Sequence, residues 1–245
     1  VRLRMVLTTV LTFVAALGLV SPATAYTGNN YTGFFEINQS NELVHWDKSS
    51  GSYQSQLIGP EWQDTKLIAA LSTDQVVQVR NDNTLWDWKV DHTDNDRWKG
   101  YFVGGGWSDV RAITGLGSNN FLALTTDGVL KEYFSALGNH VYTQPRTASG
   151  FAGLDKIAGR GSGAFIGIDF SGNAASYGWG SGTWSATAGL GPNWGNVRLV
   201  AGISDFRFAV VRTDGVFVEW NQASVLGPWI GTPIGGGWAN TRLLG

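Results

Sequence analysis

Short apolar runs recur along this chain at nearly constant spacing. Phe34-Phe35-Glu36-Ile37, Val76-Val77-Gln78-Val79, Phe121-Leu122-Ala123-Leu124, Phe165-Ile166-Gly167-Ile168 and Phe208-Ala209-Val210-Val211 begin 42, 45, 44 and 43 residues apart. A polar turn follows each run: NQSNE, RNDNT, TTDGV, DFSGN and RTDGV. A further β-prone run then ends in an aromatic residue, at Trp46, Trp88, Tyr133, Tyr177 and Trp220. Another aromatic follows at Tyr53, Trp98, Tyr142, Trp184 and Trp229. A glycine-rich opening carries Trp62, Trp107, Trp194 and Trp238, with a basic residue four positions later at Lys66, Arg111, Arg198 and Arg242. In the remaining unit Ala152 stands for the tryptophan and Lys156 for the base.

Each unit therefore holds short alternating runs bounded by Gly, Asn or Asp turns. Asp127-Gly128 and Asp214-Gly215 are hairpin signals, and no stretch shows sustained helical periodicity. Four short strands in about 44 residues make one β-propeller blade, which must pack against neighbours to bury its faces. Complete units are expected at 59–103, 104–148, 149–190 and 191–234. Residues 26–58 lack the tryptophan-base element, and 235–245 contain only that element. The C-terminal strand is thus expected to complete the N-terminal blade, closing an all-β, five-bladed ring without an open edge.

The first 25 residues lie outside this pattern. Arg2 and Arg4 precede an apolar stretch from Met5 to Val20, and Ser21-Pro22-Ala23-Thr24-Ala25 supplies an A-x-A cleavage signal. This reads as a secretory signal peptide, leaving residues 26–245 as one exported domain with no membrane insertion after cleavage. Its loss leaves 15 basic against 19 acidic residues, which argues against a nucleic-acid or anionic-membrane surface. There is no cysteine, so disulfides and thiolate metal sites do not arise.

The stretches GGGWSDVRAITGLGSNNFLALTTDGVLKEY (104–133), GPNWGNVRLVAGISDFRFAVVRTDGVFVEW (191–220) and TDNDRWKGYFVGGGW (93–107) resemble the tachylectin-type propeller lectins, and the resemblance extends over 26–245. It implies a five-bladed propeller that binds N-acetylglucosamine or N-acetylgalactosamine, on glycans carrying them, at equivalent sites between neighbouring blades. The unit opening SGFAGLDK departs from the pattern and puts its junction in doubt.

A neutral sugar needs an aromatic platform, a few polar partners and a backbone that permits close approach. The candidate platforms are Tyr53, Trp98, Tyr142, Trp184 and Trp229, with Trp62, Trp107, Trp194 and Trp238 as pocket walls. Asp109, Asn196 and Asn240 are candidate hydroxyl partners. Inter-blade packing is the competing role for every aromatic here, and turn satisfaction for the Asp and Asn residues. The Trp46, Trp88 and Trp220 column reads as structural, and the basic column as an ion pair or capped turn.

A glycosidase requires two carboxylates converging on one bond. Most acids here fall in repeated turns (Asp82, Asp127, Asp169, Asp214), and His45, His92 and His140 occupy different repeat positions. No nucleophile elbow, phosphate loop or HExxH motif is present. The expectation is a secreted, monomeric, non-catalytic and multivalent lectin without metal or cofactor. The alternative is a secreted scaffold that docks proteins, which would gather its exposed aromatics in one sector of the ring.

Overall fold

A computed structural model describes residues 33–48, 51–136, 138–161, 163–224 and 227–245. The expected signal segment at 1–25, and 26–32 of the first unit, lie outside them. The alternating runs form strands. β1 (Gly33–Ile37), β2 (Leu43–Asp47) and β3 (Gln54–Gly59) come first. They are followed by β4 (Thr65–Ser72), β5 (Gln75–Arg80), β6 (Leu85–Asp91) and β7 (Arg97–Gly104). Next are β8 (Val110–Gly117), β9 (Asn120–Thr125), β10 (Leu130–Phe134) and β11 (Thr143–Ala148). β12 (Leu154–Gly159), β13 (Ala164–Asp169), β14 (Ala174–Gly180) and β15 (Thr183–Gly191) form the next set. β16 (Val197–Ser204), β17 (Arg207–Arg212), β18 (Phe217–Gln222), β19 (Trp229–Gly235) and β20 (Leu243–Leu244) end the chain.

These strands pair into five four-stranded antiparallel sheets, ordered β20-β1-β2-β3, β4-β5-β6-β7, β11-β10-β9-β8, β12-β13-β14-β15 and β16-β17-β18-β19. They are blades 1 to 5 in ring order. The C-terminal strand does complete blade 1. Leu243 pairs with Ile37 and Leu244 with Glu36, and Phe35 and Gly245 exchange backbone hydrogen bonds of 2.7 and 2.9 Å. This joins the first and last described strands in one sheet, so blades 5 and 2 both pack on a complete blade 1.

The first strand of each blade lies innermost, and neighbouring first strands touch around the axis. Space there admits only small residues. A Cβ on Gly115, Gly159 or Gly202 would lie 1.7, 1.7 or 2.0 Å from the carbonyl oxygen of Ala70, Gly115 or Gly159 in the preceding blade. Glycine at these positions is what lets the backbones approach.

Apolar residues form five clusters, each between two neighbouring blades. Phe34, Phe121, Phe165 and Phe208 open the second strands and are fully buried. Removing one such side chain from water contributes about 1.5–3 kcal/mol, so the junctions rather than the sheets alone hold the ring.

A backbone clamp fixes each junction. The amides of Trp62, Trp107, Phe151, Trp194 and Trp238 donate to the carbonyls of Asn41, Asn83, Gly128, Gly172 and Gly215 in the preceding blade, at 2.9–3.1 Å. Those five acceptor residues all have positive φ, between 62° and 82°, which explains the Asn and Gly in the hairpin turns. The clamp also corrects the alignment of the fourth unit: Phe151, not Ala152, takes the tryptophan position.

The basic column caps the following blade's opening. Arg111 donates to Phe151 O (3.1 Å) and Ala152 O (3.0 Å), and Arg198 to Thr241 O (2.6 Å) and Trp238 O (2.7 Å). Lys66 reaches Ser108 O at 3.4 Å, and Arg242 reaches Trp62 O and Thr65 O at 3.4 Å. Lys156 instead pairs with its neighbour Asp155.

Candidate functional site

At the openings the glycine-rich linker leaves the fourth strand of one blade and enters the first strand of the next. The clamp holds each opening aromatic against the repeated aromatic of the third strand. Centroid separations are 5.2 Å for Trp62–Trp88, 5.0 Å for Trp107–Tyr133, 5.9 Å for Phe151–Tyr177, 4.5 Å for Trp194–Trp220 and 4.8 Å for Trp238–Trp46.

Among the described residues, clefts open beside three of these pairs. The blade 5 cleft, about 320 Å³, is walled by Trp194 and Trp220, with Asn193, Asn196 and Arg212 among its polar residues. The blade 3 cleft, about 240 Å³, has Trp107, Tyr133 and Tyr142, with Asp109 and Lys131 facing each other at 3.7 Å. The blade 2 cleft, about 270 Å³, has Trp62, Trp88 and Trp98, with Glu61, Gln78 and Arg80. The predicted walls Trp62, Trp107 and Trp194 and the predicted partners Asp109 and Asn196 thus lie in repeated clefts. Trp238 packs among Phe34, Trp46 and Phe217, and Asn240 ends the short 3-10 turn Trp238–Asn240.

The predicted platform column divides. Trp98 and Tyr142 line clefts, and both also lie edge-on to core phenylalanines, Phe35 and Phe121. Trp229 meets Phe208 edge-on and carries the Arg160 guanidinium 4.9 Å above its ring. Trp184 is 3% exposed, against Phe165. Tyr53 packs edge-on against Phe34.

Two tyrosines of this column act as locks between blades. Tyr142 donates its hydroxyl to buried Asp87 of blade 2 (2.8 Å), and Tyr53 donates to buried Glu219 of blade 5 (2.5 Å). Burial first, and then the neighbouring carboxylate, pushes both phenols well above the ordinary tyrosine range. Asp87 is further held by Gln75 and by His140 Nδ1 at 2.8 Å. Burial alone would raise the Glu219 carboxyl, but the bonds from Tyr53 and Lys48 outweigh it and hold the group below its ordinary value. Glu132, whose partners are Asn120 and Arg146, is raised, with burial dominant.

The column read from the sequence as structural supplies Trp88, Tyr133 and Trp220 to the clefts, and Arg80 and Arg212, at the ends of the second strands, join them without having been candidates. The sequence carries their signal: the aromatics share one third-strand repeat position, and the two arginines share the last position of a second strand. What was not available was the side of the blade that stays open.

Five four-stranded blades, closed by β20 and bearing clefts where the chain enters a blade, define a five-bladed β-propeller. No protein-family model matches the chain, and no curated relative matches it. Among solved structures the chain is similar to Prp20p from Saccharomyces cerevisiae, described with its binding properties to Gsp1p and histones. The identity is 10% and the TM-score 0.42, over 76% of this chain and 54% of that one. The chain therefore spans about half the length of that structure, and a likeness this distant carries no argument about function.

Proposed function

We propose that this protein is a secreted, non-catalytic lectin that binds N-acetylated hexosamines in the clefts at the blade openings. The observation that carries the reading is recurrence. Blades 2, 3 and 5 each present a tryptophan wall, a second aromatic and a cationic residue in an open cleft of 240–320 Å³. An indole face suits the apolar C–H face of a pyranose, while Asn, Asp and linker amides suit its hydroxyls. Binding without catalysis is supported by the buried carboxylates, since Asp87 and Glu219 are engaged by tyrosines across blade junctions and Glu132 by Asn120 and Arg146 of its own blade. The proposed export rests on the leader-like residues 1–25.

Calorimetric titration tests this reading. N-acetylglucosamine or N-acetylgalactosamine is expected to bind at about three sites per chain, one per cleft. Trp194→Ala is expected to remove about one. No heat with either sugar at millimolar concentration overturns the proposal.

The alternative, docking of a protein, calls for exposed apolar side chains gathered in one sector. Leu57, Phe102, Val141, Phe170 and Ile230, 59–65% exposed, instead fall one in each of blades 1, 2, 3, 4 and 5, so they single out no sector.

A further inference from the structure

Blades 2 and 5 carry the same aromatic and cation at this cleft: Trp88 with Arg80, and Trp220 with Arg212. Trp88 pairs across the sheet with Gly100 and Trp220 with Gly231. A Cβ on either glycine would meet the indole at 2.9 or 2.7 Å, so both rings lie over the fourth strand, with Cζ2 and Cη2 among the nearest atoms in each. The two blades differ at one second-strand position facing this pair.

In blade 2 that position is Gln78. Its Oε1 accepts from the Trp88 indole Nε1–H at 2.9 Å and from Arg80 Nε–H at 3.2 Å. One amide oxygen thus serves two converging donors. In blade 5 the position is Val210, which has no acceptor to offer. Arg212 Nε is buried there without a hydrogen-bond partner among the described residues. The cleft is also larger, about 320 Å³ against 270 Å³. A buried donor left unpaired is costly unless something else supplies the acceptor.

We propose that the blade 5 cleft takes the carbonyl oxygen of a neutral amide between Trp220 Nε1–H and Arg212 Nε–H, where Gln78 Oε1 sits in blade 2. This rests on the lectin reading and assigns the acetamido group of the sugar to a particular pair of donors. A neutral acceptor fits better than a carboxylate, because Arg212 Nη2 is already paired with Asp214 at 2.5 Å. The apolar lining from Val197, Val210 and Val218 suits the acetamido methyl. Blade 2 fills its own acceptor position with Gln78, so its cleft binds the same group more weakly.

The test follows the indole and guanidinium N–H resonances of the protein during titration with N-acetylglucosamine and with glucose. N-acetylglucosamine, and not glucose, is expected to move the Trp220 indole and Arg212 Nε–H signals. Val210→Gln, which copies blade 2, is expected to weaken the blade 5 site about tenfold, equivalent to about 1.4 kcal/mol. Gln78→Val is expected to strengthen the blade 2 site by a similar factor. Val210 is buried, so its replacement can disturb folding; Arg212→Lys keeps a cation for Asp214 but lacks the Nε–H, and is expected to show the same loss at an unchanged melting temperature. If N-acetylglucosamine still binds and neither folded variant changes its affinity, the two-donor site is overturned while the lectin reading stands. An equal response to glucose overturns the acetamido assignment. No binding of any amino sugar by the unaltered protein overturns the lectin reading and this site with it.

Discussion

At the scale of residues, the junctions depend on buried polar groups that the repeat disguises. Glu219 sits at a third-strand position shared by His45, Asp87, Glu132 and Ser176, yet only the neighbouring blade explains its charge. Lys48 and Tyr53 of blade 1 hold its carboxyl below the ordinary 4.5. A depressed carboxyl contributes stability that is present above its unfolded pKa and lost as pH falls through the folded one. Glu219→Gln is therefore expected to cost about 1–3 kcal/mol at neutral pH and to flatten the loss of stability below about pH 4.5. Denaturant unfolding from about pH 6 to pH 3 checks both; parallel curves for the two proteins would refute the assignment. The column of aromatics was legible in the sequence, but the partner of each was not. Tyr53 and Tyr142 spend their hydroxyls on carboxylates more than fifty positions away in the chain, a pairing that no local pattern encodes.

At the scale of elements, the innermost strands decide how closely five sheets can gather. Gly159 is the clearest case: its Cα faces the Gly115 carbonyl, and its amide donates to Thr114 Oγ1 at 2.6 Å. Gly159→Ala forces backbone apart rather than a flexible side chain. It is expected to destabilise by about 1–3 kcal/mol, measured by denaturant titration, with Ser176→Ala as a comparison that alters a side chain without crowding the axis. The turn chemistry of these elements was readable, since Asn41, Asn83, Gly128, Gly172 and Gly215 all adopt the positive φ that their residue types favour. The fourth opening was not, because Phe151 and Ala152 are adjacent and only the clamp to Gly128 O picks Phe151.

At the scale of the whole molecule, closure and multivalency are linked. β20 supplies the innermost strand of blade 1, and removing 234–245 would expose β1 as well as the walls of blades 5 and 2. The shortened chain is expected to aggregate or to lose its cooperative thermal transition; a sharp, unshifted transition would mean that four blades suffice. A rigid ring also fixes the clefts relative to one another. Immobilised glycan is then expected to be retained about 10²–10⁴-fold more tightly than free monosaccharide, where spacing lets two clefts engage. Surface binding at decreasing glycan density checks this, because the gain must vanish once neighbouring sugars are too far apart.

The sequence by itself determined the number of blades, the strand order within them and the shared first blade. Those follow from repeat spacing, alternation and turn residues, all of which are local or periodic. It also located the linker tryptophans that wall the clefts. Only the tertiary structure decided which aromatics face open space, which are packed on core phenylalanines and which are tied to buried carboxylates. The physical reason is that every junction is made by residues of two different repeats, so exposure and hydrogen bonding there depend on the neighbour across the gap. The contrast of Gln78 with Val210 is the sharpest instance: a single repeat position closes two donors in one blade and, among the described residues, leaves Arg212 Nε unpaired in another.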